Sequence, residues 1–291
     1  MFYQAPTLQF AYDMISKEGF PLQTAYLPEI KTARWEIKHI LHRKGETLRV
    51  VDIRTSIFTG MPSTDIKLDH DWIEMRFVES KRGVWMSTVP IETYTQLYPA
   101  YNAYGKVLVG GLGLGHILVL MKKFNTKIDS IVCVEKNKTL VKKLSPYFPD
   151  VEFVTDDIST YLSRTRSKFD FIYLDTWQGT NEATFYDTVL PLRALAKKRL
   201  EEPLKASSNI VCWAEETMRG QIASNISFIR LPGFKEQNIQ HMEEDLKATK
   251  AYKYKQPFFE FMEKHKDIDV VALPDEEFRN LVINFVSTWR T

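Results

Sequence analysis

The sequence predicts an α/β protein with a mostly parallel β-sheet, preceded by a β-hairpin domain and followed by a helical extension. From Lys106 onward, short apolar runs alternate with amphipathic segments, as expected of parallel strands joined by crossover helices. Several glycines directly follow the first apolar run, where a strand would turn tightly into a helix. Before Lys106, apolar and polar residues alternate with a period of two, which is typical of antiparallel hairpins.

Two β-hairpins are predicted within residues 1–95, which we expect to form the first domain. Residues 33–54 alternate on both sides of a turn at Gly45 and predict one hairpin. Residues 73–86 alternate on both sides of a turn at Gly83 and predict the second. This part of the chain is therefore expected to be a small antiparallel β-domain.

The second predicted domain covers residues 96–230 and supplies the parallel sheet. Its expected strands lie at residues 106–110, 130–134, 151–154, 169–174 and 209–214. Amphipathic helices are expected between them, including residues 138–144 and 190–200. Residues 231–291 are charged and form the third predicted region, a helical extension. Its last helix has Asp275 as a natural N-cap, and residues 269–273 are the candidate for one short extra strand.

The charge of the chain is close to balanced and does not call for a polyanionic partner. The 291 residues carry a formal net charge of +2, and the three successive thirds carry about 0, +5 and −3. No third is basic enough to require a nucleic acid, although composition alone leaves that partner open. The sequence also leaves the oligomeric state open.

Cysteine usage and hydropathy predict a cytoplasmic protein without a membrane segment. Cys133 and Cys212 each lie inside an apolar run and lack the spacing of a zinc site or a disulfide framework. The longest apolar run, residues 107–121, contains glycines and a histidine and is too short to span a bilayer. The first residues lack the basic start and apolar core of a signal peptide.

The glycine-rich turn is the first candidate ligand site. Only 12 of the 291 residues are glycine, yet five of them fall within residues 105–115. A turn of this kind joins a buried strand to a helix N-terminus, whose free N–H groups can bind a ligand. The alternative is a tight turn that binds nothing.

Acidic residues follow the next three predicted strands. Glu135 lies 20 residues beyond Gly115, where an acid can accept hydrogen bonds from both hydroxyls of a ribose. Asp157 and Asp175 follow the third and fourth strands. Because the carboxyl ends of parallel strands meet at one edge of the sheet, these acids are expected beside the glycine turn. Asp157 is equally suited to cap the helix that begins after it.

Four motifs resemble class I S-adenosylmethionine-dependent methyltransferases, including the spermidine-synthase-like branch of that superfamily. They are VLVGGLGLG, IVCVEKN, VEFVTDD and FDFIYLDTW, in that order. The stretch GVWMSTVPIETYTQ is also similar to a lead-in of uncharacterised phage and bacterial proteins of this type. The resemblance covers roughly residues 84–214. It implies a Rossmann-like sheet and S-adenosyl-L-methionine as the cofactor.

The resemblance also assigns roles to the cofactor residues. It implies that the methionine part of the cofactor lies against the three glycines Gly111, Gly113 and Gly115. Glu135 would bind the ribose, and Asp157 would bind the adenine amino group, with the Ile158 backbone beside the ring. No metal is expected, because the later Asp-Asn pair of metal-dependent relatives has no match in this chain.

A second set of residues is expected to hold the methyl acceptor. The resemblance places Asp175 at the sulfonium and the acceptor, as a general base or as a clamp for the cofactor amino group, and makes Trp177 a candidate wall of the acceptor pocket. The hairpin domain offers Trp72 and Trp85 as a roof. Glu92 is the candidate acceptor residue in the strand end that would join the two domains.

The predicted function is a methyltransferase that acts on an oxygen or nitrogen nucleophile of a small molecule, single residue or single nucleotide in a pocket. Aminopropyl transfer is an alternative, but Leu114 stands where spermidine synthases carry an acid, and their second acid is absent after Asp175. A cofactor-binding or assembly protein without catalysis is another alternative. A dehydrogenase is disfavoured because His116 takes the place of the third glycine of a dinucleotide motif.

Overall fold

The N-terminal part of the chain contains six strands in two antiparallel sheets. The computed structural model describes residues 5–51, 53–230, 243, 247 and 252–290. The six strands are β1 (Ile30–Lys31), β2 (Trp35–His42), β3 (Thr47–Val51), β4 (Thr64–Lys67), β5 (Trp72–Glu79) and β6 (Gly83–Ser87). One sheet has the order β1-β2-β5-β6, and the other pairs β3 with β4.

The hairpin predicted for residues 73–86 is confirmed, whereas the one predicted for residues 33–54 is wrong. Strand β2 pairs along its whole length with β5, and β3 pairs with β4. The turn between β2 and β3 is bound to a later loop: the amide of Lys44 donates to the Asp71 carboxylate at 2.8 Å, and the amide of Gly45 donates to the Leu68 carbonyl at 2.8 Å. These bonds direct β3 away from β2.

Three helices lie between these strands and beside them along the chain, which makes the N-terminal part a mixed α and β structure. They are α1 (Pro6–Glu18), α2 (Ile53–Thr59) and α3 (Pro90–Asn102). Helix α3 begins with a proline, whose fixed φ suits the first helical position. Glu92, which was expected in a strand end that joins the two domains, therefore lies in a helix. The predicted boundary between residues 95 and 96 falls inside it.

The parallel sheet confirms the predicted Rossmann-like fold class. Its strands are β7 (Gly105–Gly110), β8 (Ile128–Glu135), β9 (Val151–Thr155), β10 (Phe171–Leu174) and β11 (Ile210–Cys212). All its pairings are parallel, and the order is β9-β8-β7-β10-β11. The chain reverses its direction of winding between β7 and β10. Ligands bind at such a switch point, outside the carboxyl ends of the strands.

Crossover helices cover both faces of this sheet. They are α4 (His116–Phe124), α5 (Lys138–Leu144), α6 (Ile158–Arg164), α7 (Glu182–Thr184), α8 (Leu190–Lys197) and α9 (Ala206–Asn209), with a π-helical turn (Phe185–Val189) between α7 and α8. Side chains of β7 alternate between two cores: Leu108 packs in one hydrophobic cluster, and Val107 and Val109 pack in another. Both faces of the central strand are therefore buried, which explains its continuous apolar run.

The described C-terminal part consists of helices and turns. It contains α10 (Glu215–Ser227), α11 (Tyr252–Lys264) and α12 (Asp275–Ser287), and most of residues 231–251 lie outside the described part. Residues 269–273 form turns, closed by a hydrogen bond from the Ala272 amide to the Asp269 carboxylate, so the expected extra strand is wrong. Pro274 rather than Asp275 is the N-cap of α12. None of the described helices is long and apolar enough to span a membrane.

Candidate functional site

A cavity of about 440 Å³ opens at the carboxyl ends of the parallel strands. This volume lies in the range of small-molecule binding sites. Its walls come from the glycine turn after β7, the ends of β8 to β11, the β5–β6 hairpin and the start of α3. Eight of the nine predicted site residues line it: Gly111, Gly113, Glu135, Asp157, Ile158, Asp175, Trp177 and Glu92.

The glycine turn is held tightly against the segment that follows β10. Gly111 has a φ of +95°, and a Cβ at this position would lie 2.0 Å from the carbonyl oxygen of Asp175. Its amide donates to the Val134 carbonyl at 2.8 Å. The turn can therefore pass between the ends of β8 and β10 only if residue 111 has no side chain.

Gly115 is the predicted site residue that does not line the cavity. Its φ is +68°, and a Cβ there would lie 2.3 Å from Cζ of Phe148. The absence of a side chain at this position is therefore explained by the packing of the Phe148 ring. The expected contact between Gly115 and the cofactor stays a prediction.

Met86 is a contact of the glycine turn that the sequence did not reveal. The Leu114 amide donates to the Met86 Sδ at 3.4 Å, and a Cβ on Gly113 would lie 2.4 Å from that sulfur. A β-bulge leaves Trp85 as an extra residue between the paired positions of β6. Bulges redirect neighbouring side chains. Here Trp85 and Met86 both line the cavity, although they are adjacent in one strand.

Glu135 connects the glycine turn to the start of α5. Its Oε2 accepts a hydrogen bond from the Leu112 amide at 3.0 Å, and its Oε1 accepts one from the Asn137 amide at 2.7 Å. A carboxylate has about four lone-pair sites, so each oxygen can accept a further bond. Because Glu135 also lines the cavity, it can accept bonds from the hydroxyls of a ligand.

Asp157 caps helix α6, as one of its two predicted roles requires. Its Oδ1 accepts bonds from the amides of Ser159 at 2.9 Å and Thr160 at 3.3 Å. The hydrogen bond from the Ser159 hydroxyl is the main cause that lowers the pKa of Asp157. Capping uses Oδ1, which leaves Oδ2 as the oxygen that can accept from an amino group in the cavity. The buried side chain of Ile158 lies beside it in the cavity wall.

Asp175 and Glu92 are two carboxyl groups that favour their neutral forms. Burial raises the pKa of Asp175 to about 7, while a bond from the Tyr173 hydroxyl, 3.4 Å from Oδ2, lowers it by less. Burial, with a contribution from the negative charge of Asp175, raises the pKa of Glu92 to about 8. Glu92 lies in the first turn of α3 rather than in the expected strand end. Two carboxyls with pKa values near neutrality can exchange protons with a ligand.

Three tryptophans complete the wall around these carboxyls. Trp85 and Trp213 line the cavity together with the predicted Trp177. The indole N–H of Trp213 donates to the Thr95 hydroxyl at 3.1 Å, and Arg82 lies over the Trp85 ring at 5.4 Å. Trp177 is 7% exposed, and its Nε1 has no hydrogen-bond partner among the described atoms. The other expected roof residue, Trp72, is buried elsewhere, where its indole N–H donates to the Gln23 carbonyl.

His116 secures the helix that follows the glycine turn. Its Nε2 lies 2.7 Å from the Thr93 hydroxyl, and its Nδ1 lies 3.4 Å from the Tyr26 hydroxyl. The side chain is fully buried, and burial lowers the pKa of His116 to about 3. A neutral imidazole therefore joins α4 to α3 at the residue that follows Glu92. The sequence showed this residue only as a departure from a dinucleotide motif.

The sheet order, the glycine turn and the acids at the strand ends define a Rossmann-like protein with a ligand cavity at the switch point of its sheet. The described residues contain no group of three or more His, Cys, Asp or Glu side chains placed to hold a metal ion. No protein family and no curated protein matches the chain.

Distant similarities to solved structures were found. One is an S-adenosylmethionine-dependent methyltransferase from Clostridium acetobutylicum, with 16% identity over 38% of this chain and a TM-score of 0.30. Another is an rRNA methylase from Streptococcus thermophilus, with 14% identity over 38% of this chain and a TM-score of 0.29. A third is a spermidine synthase from Thermotoga maritima, with 14% identity over 55% of this chain and a TM-score of 0.29. The chain spans 47%, 65% and 61% of the lengths of these three proteins. With TM-scores this low, function has to be inferred from the site itself.

Proposed function

We propose that the chain is an S-adenosylmethionine-dependent methyltransferase that acts on an oxygen or nitrogen nucleophile of a small acceptor in the cytoplasm. The observation that carries this proposal is the composition of one cavity. The glycine turn, Glu135 and Asp157 line it, and so do the two carboxyls Asp175 and Glu92. The residues proposed to bind the cofactor and a candidate base thus line the same cavity, which supports the proposal.

The residues of the cavity fit the cofactor that the motifs imply. The remaining lone pairs of Glu135 would accept bonds from the ribose hydroxyls, and Oδ2 of Asp157 would accept from the adenine amino group. Ile158 gives an apolar surface beside Asp157 for the ring. When bound, the cofactor supplies a methyl group on a positively charged sulfur.

The charge of the cavity supports a cationic ligand. The described lining residues include two cations, Arg82 and Lys136, and seven acids: Glu79, Glu92, Glu135, Asp156, Asp157, Asp175 and Asp187. Even with Glu92 and Asp175 neutral, the other five acids outnumber the two cations, and this excess of negative charge attracts a sulfonium and repels phosphates. Binding of a long nucleic acid requires several Lys and Arg contacts to phosphates, so a small acceptor fits this surface better.

Asp175 is the candidate general base. A base is most effective when its pKa lies near the working pH, and the pKa of Asp175 is raised to about 7. The Tyr173 hydroxyl fixes the position of one carboxylate oxygen. Asp175 would accept the proton of the nucleophile, while the cavity holds the acceptor in line with the sulfonium and excludes water.

Calorimetry with S-adenosylmethionine and with NADH tests the proposal. We expect S-adenosylmethionine to bind and Glu135→Ala to weaken its binding by about tenfold or more, because charge-assisted bonds to the ribose are lost. Glu152→Ala, on the exposed surface of the neighbouring strand β9, is the control and should bind normally. Binding of NADH alone would refute the proposal.

Aminopropyl transfer is a second candidate, favoured by the scarcity of cations in the cavity. The carboxylate of S-adenosylmethionine would find only Arg82 and Lys136 among the described lining residues, and Arg82 already lies over Trp85. A decarboxylated cofactor would avoid this mismatch. Turnover of decarboxylated S-adenosylmethionine with putrescine would favour aminopropyl transfer over methyl transfer, and no turnover would exclude it for this diamine.

A further inference from the structure

The wall of the cavity offers several indole rings from separate elements. Trp85 comes from the bulge of β6, Trp177 from the loop after β10, and Trp213 from the residue after β11. Indole rings bind planar rings by stacking and bind cations through their faces. Binding of a purely aliphatic ligand would not require three indole rings in the wall.

The two carboxyls in the same cavity have no cationic partner among the described residues. The Asp175 carboxylate accepts a bond from the Tyr173 hydroxyl, and the carboxyl of Glu92 has no hydrogen bond or ion pair in the described part of the chain. Partly buried carboxylates are costly unless they are paired. A ligand with a positively charged nitrogen would stabilise the ionised forms of both groups and pair with them, whereas a carboxylate or phosphate ligand would gain no such pairing.

The unpaired indole N–H of Trp177 is a second sign that the wall is incomplete without a ligand. Buried polar atoms nearly always have a hydrogen-bond partner, and Nε1 of this ring has none among the described atoms. The ring itself lines the cavity. An acceptor atom on a bound molecule is one way to satisfy this donor.

We propose that the methyl acceptor is an alkylamine that carries an aromatic ring, whose planar ring stacks on the tryptophans and whose ammonium group pairs with Glu92 and Asp175. This inference rests on the proposed methyltransferase function and names the chemical class of its acceptor. The acceptor ammonium gives one proton to the Asp175 carboxylate. Its freed lone pair then forms the new N–C bond to the methyl group, the S–C bond breaks, and its electron pair stays on sulfur. The products are a methylated ammonium and a neutral thioether.

Binding of three matched probes tests the acceptor class without any turnover. Tryptamine has both a ring and an ammonium, indole-3-propionate replaces the ammonium by a carboxylate, and hexylamine lacks the ring. By calorimetry, with S-adenosylhomocysteine present, we expect tryptamine to bind at least about tenfold more tightly than either of the others. Equal or tighter binding of indole-3-propionate, or of hexylamine, would overturn the inference.

Variants of Glu92 and Trp85 test whether these residues cause the preference for tryptamine. We expect Glu92→Gln to weaken tryptamine binding by about tenfold and to leave hydrophobic contact with the ring intact. Trp85→Leu should weaken tryptamine but not hexylamine. Glu152→Gln is the control for Glu92→Gln, because Glu152 lies on β9 and does not line the cavity. This variant should bind all three probes normally. Unchanged tryptamine binding in both cavity variants would contradict the inference.

The outcome is separable from that of the proposed function. If S-adenosylmethionine binds and tryptamine shows no preference over the other probes, the acceptor class is wrong and the cofactor assignment stands. If tryptamine is preferred and S-adenosylmethionine does not bind, methyl transfer is wrong while the amine-binding cavity stands.

Discussion

At the residue scale, the most informative groups are carboxyls in unusual surroundings. The sequence identified Asp175 and Glu92 as candidates, and the structure adds that both have raised pKa values, with burial as the main cause. The cavity wall around them also comes from the β5–β6 hairpin, α3 and the residue after β11, which are separate in the chain, and this arrangement is not visible in the local sequence. Which acids would be perturbed could therefore not be predicted, although their positions could.

These two carboxyls make the stability of the protein depend on pH. Unfolded carboxyls titrate near pH 4, so between about pH 4 and 8 the folded state holds protons that the unfolded state has released. Their contribution to stability is fully present below about pH 4 and is lost as the pH rises through about 7 and 8. We expect Asp175→Asn to lose less thermal stability than the parent protein between pH 5 and 8.5, measured as Tm by calorimetry. Glu152→Gln should follow the parent, and identical pH profiles for Asp175→Asn and the parent would contradict this prediction.

At the element scale, the strands of the parallel sheet were predictable and the pairing of the N-terminal strands was not. Buried parallel strands are short apolar runs on both faces, so β7 and β8 are visible in the sequence itself. Strand β2 alternates as predicted, but its pairing is decided by contacts with β5, whose residues lie 30 or more positions further along the chain. The bulge that directs Trp85 into the cavity leaves no local signal for the same reason.

The glycine turn gives a prediction about the turn as a structural element. Gly111→Ala combines an unfavourable positive φ with a clash against the Asp175 carbonyl. Gly45→Ala has a similar φ, +91°, but no atom within 4 Å of its Cβ. We expect the control to cost about 1–2 kcal/mol from the backbone alone. Gly111→Ala should cost about 1–3 kcal/mol more. Urea denaturation measures both values, and equal losses would show that the turn can move away from β10.

At the scale of the whole molecule, a buried ion cluster joins the last described helix to the sheet. The Glu215 carboxylate accepts bonds from Arg193 Nη1 at 3.0 Å and from Arg219 Nε at 2.9 Å. Arg193 also donates to the Ile210 carbonyl in β11 at 2.9 Å, and Arg219 also donates to the Val286 carbonyl in α12. Helices α10 and α12 are thus bound to the edge of the sheet through two guanidinium groups that share one acid.

Removing the acid of this cluster should destabilise the whole fold. Glu215→Gln removes the negative charge that two buried guanidinium groups share, and breaking a buried ion pair in this way typically costs about 3–5 kcal/mol. Glu202→Gln removes an exposed pair with Lys205 and should cost less than about 1 kcal/mol. Guanidinium chloride unfolding, followed by circular dichroism, compares the two variants. A loss for Glu215→Gln as small as that for the control would show that the cluster does not hold the C-terminal helices in place.

The position of helix α3 limits where this chain can be divided or recombined with a related chain. A chain cut between residues 95 and 96 would keep all five parallel strands and the glycine turn. It would lose Glu92 from the cavity, Thr93 from its bond to His116, and Thr95 from its bond to Trp213. A crossover between related genes at that position would therefore separate the parallel sheet and its glycine turn from Glu92, Thr93 and Thr95. A recombined chain therefore keeps these contacts only if the whole of α3 is inherited together with the parallel sheet.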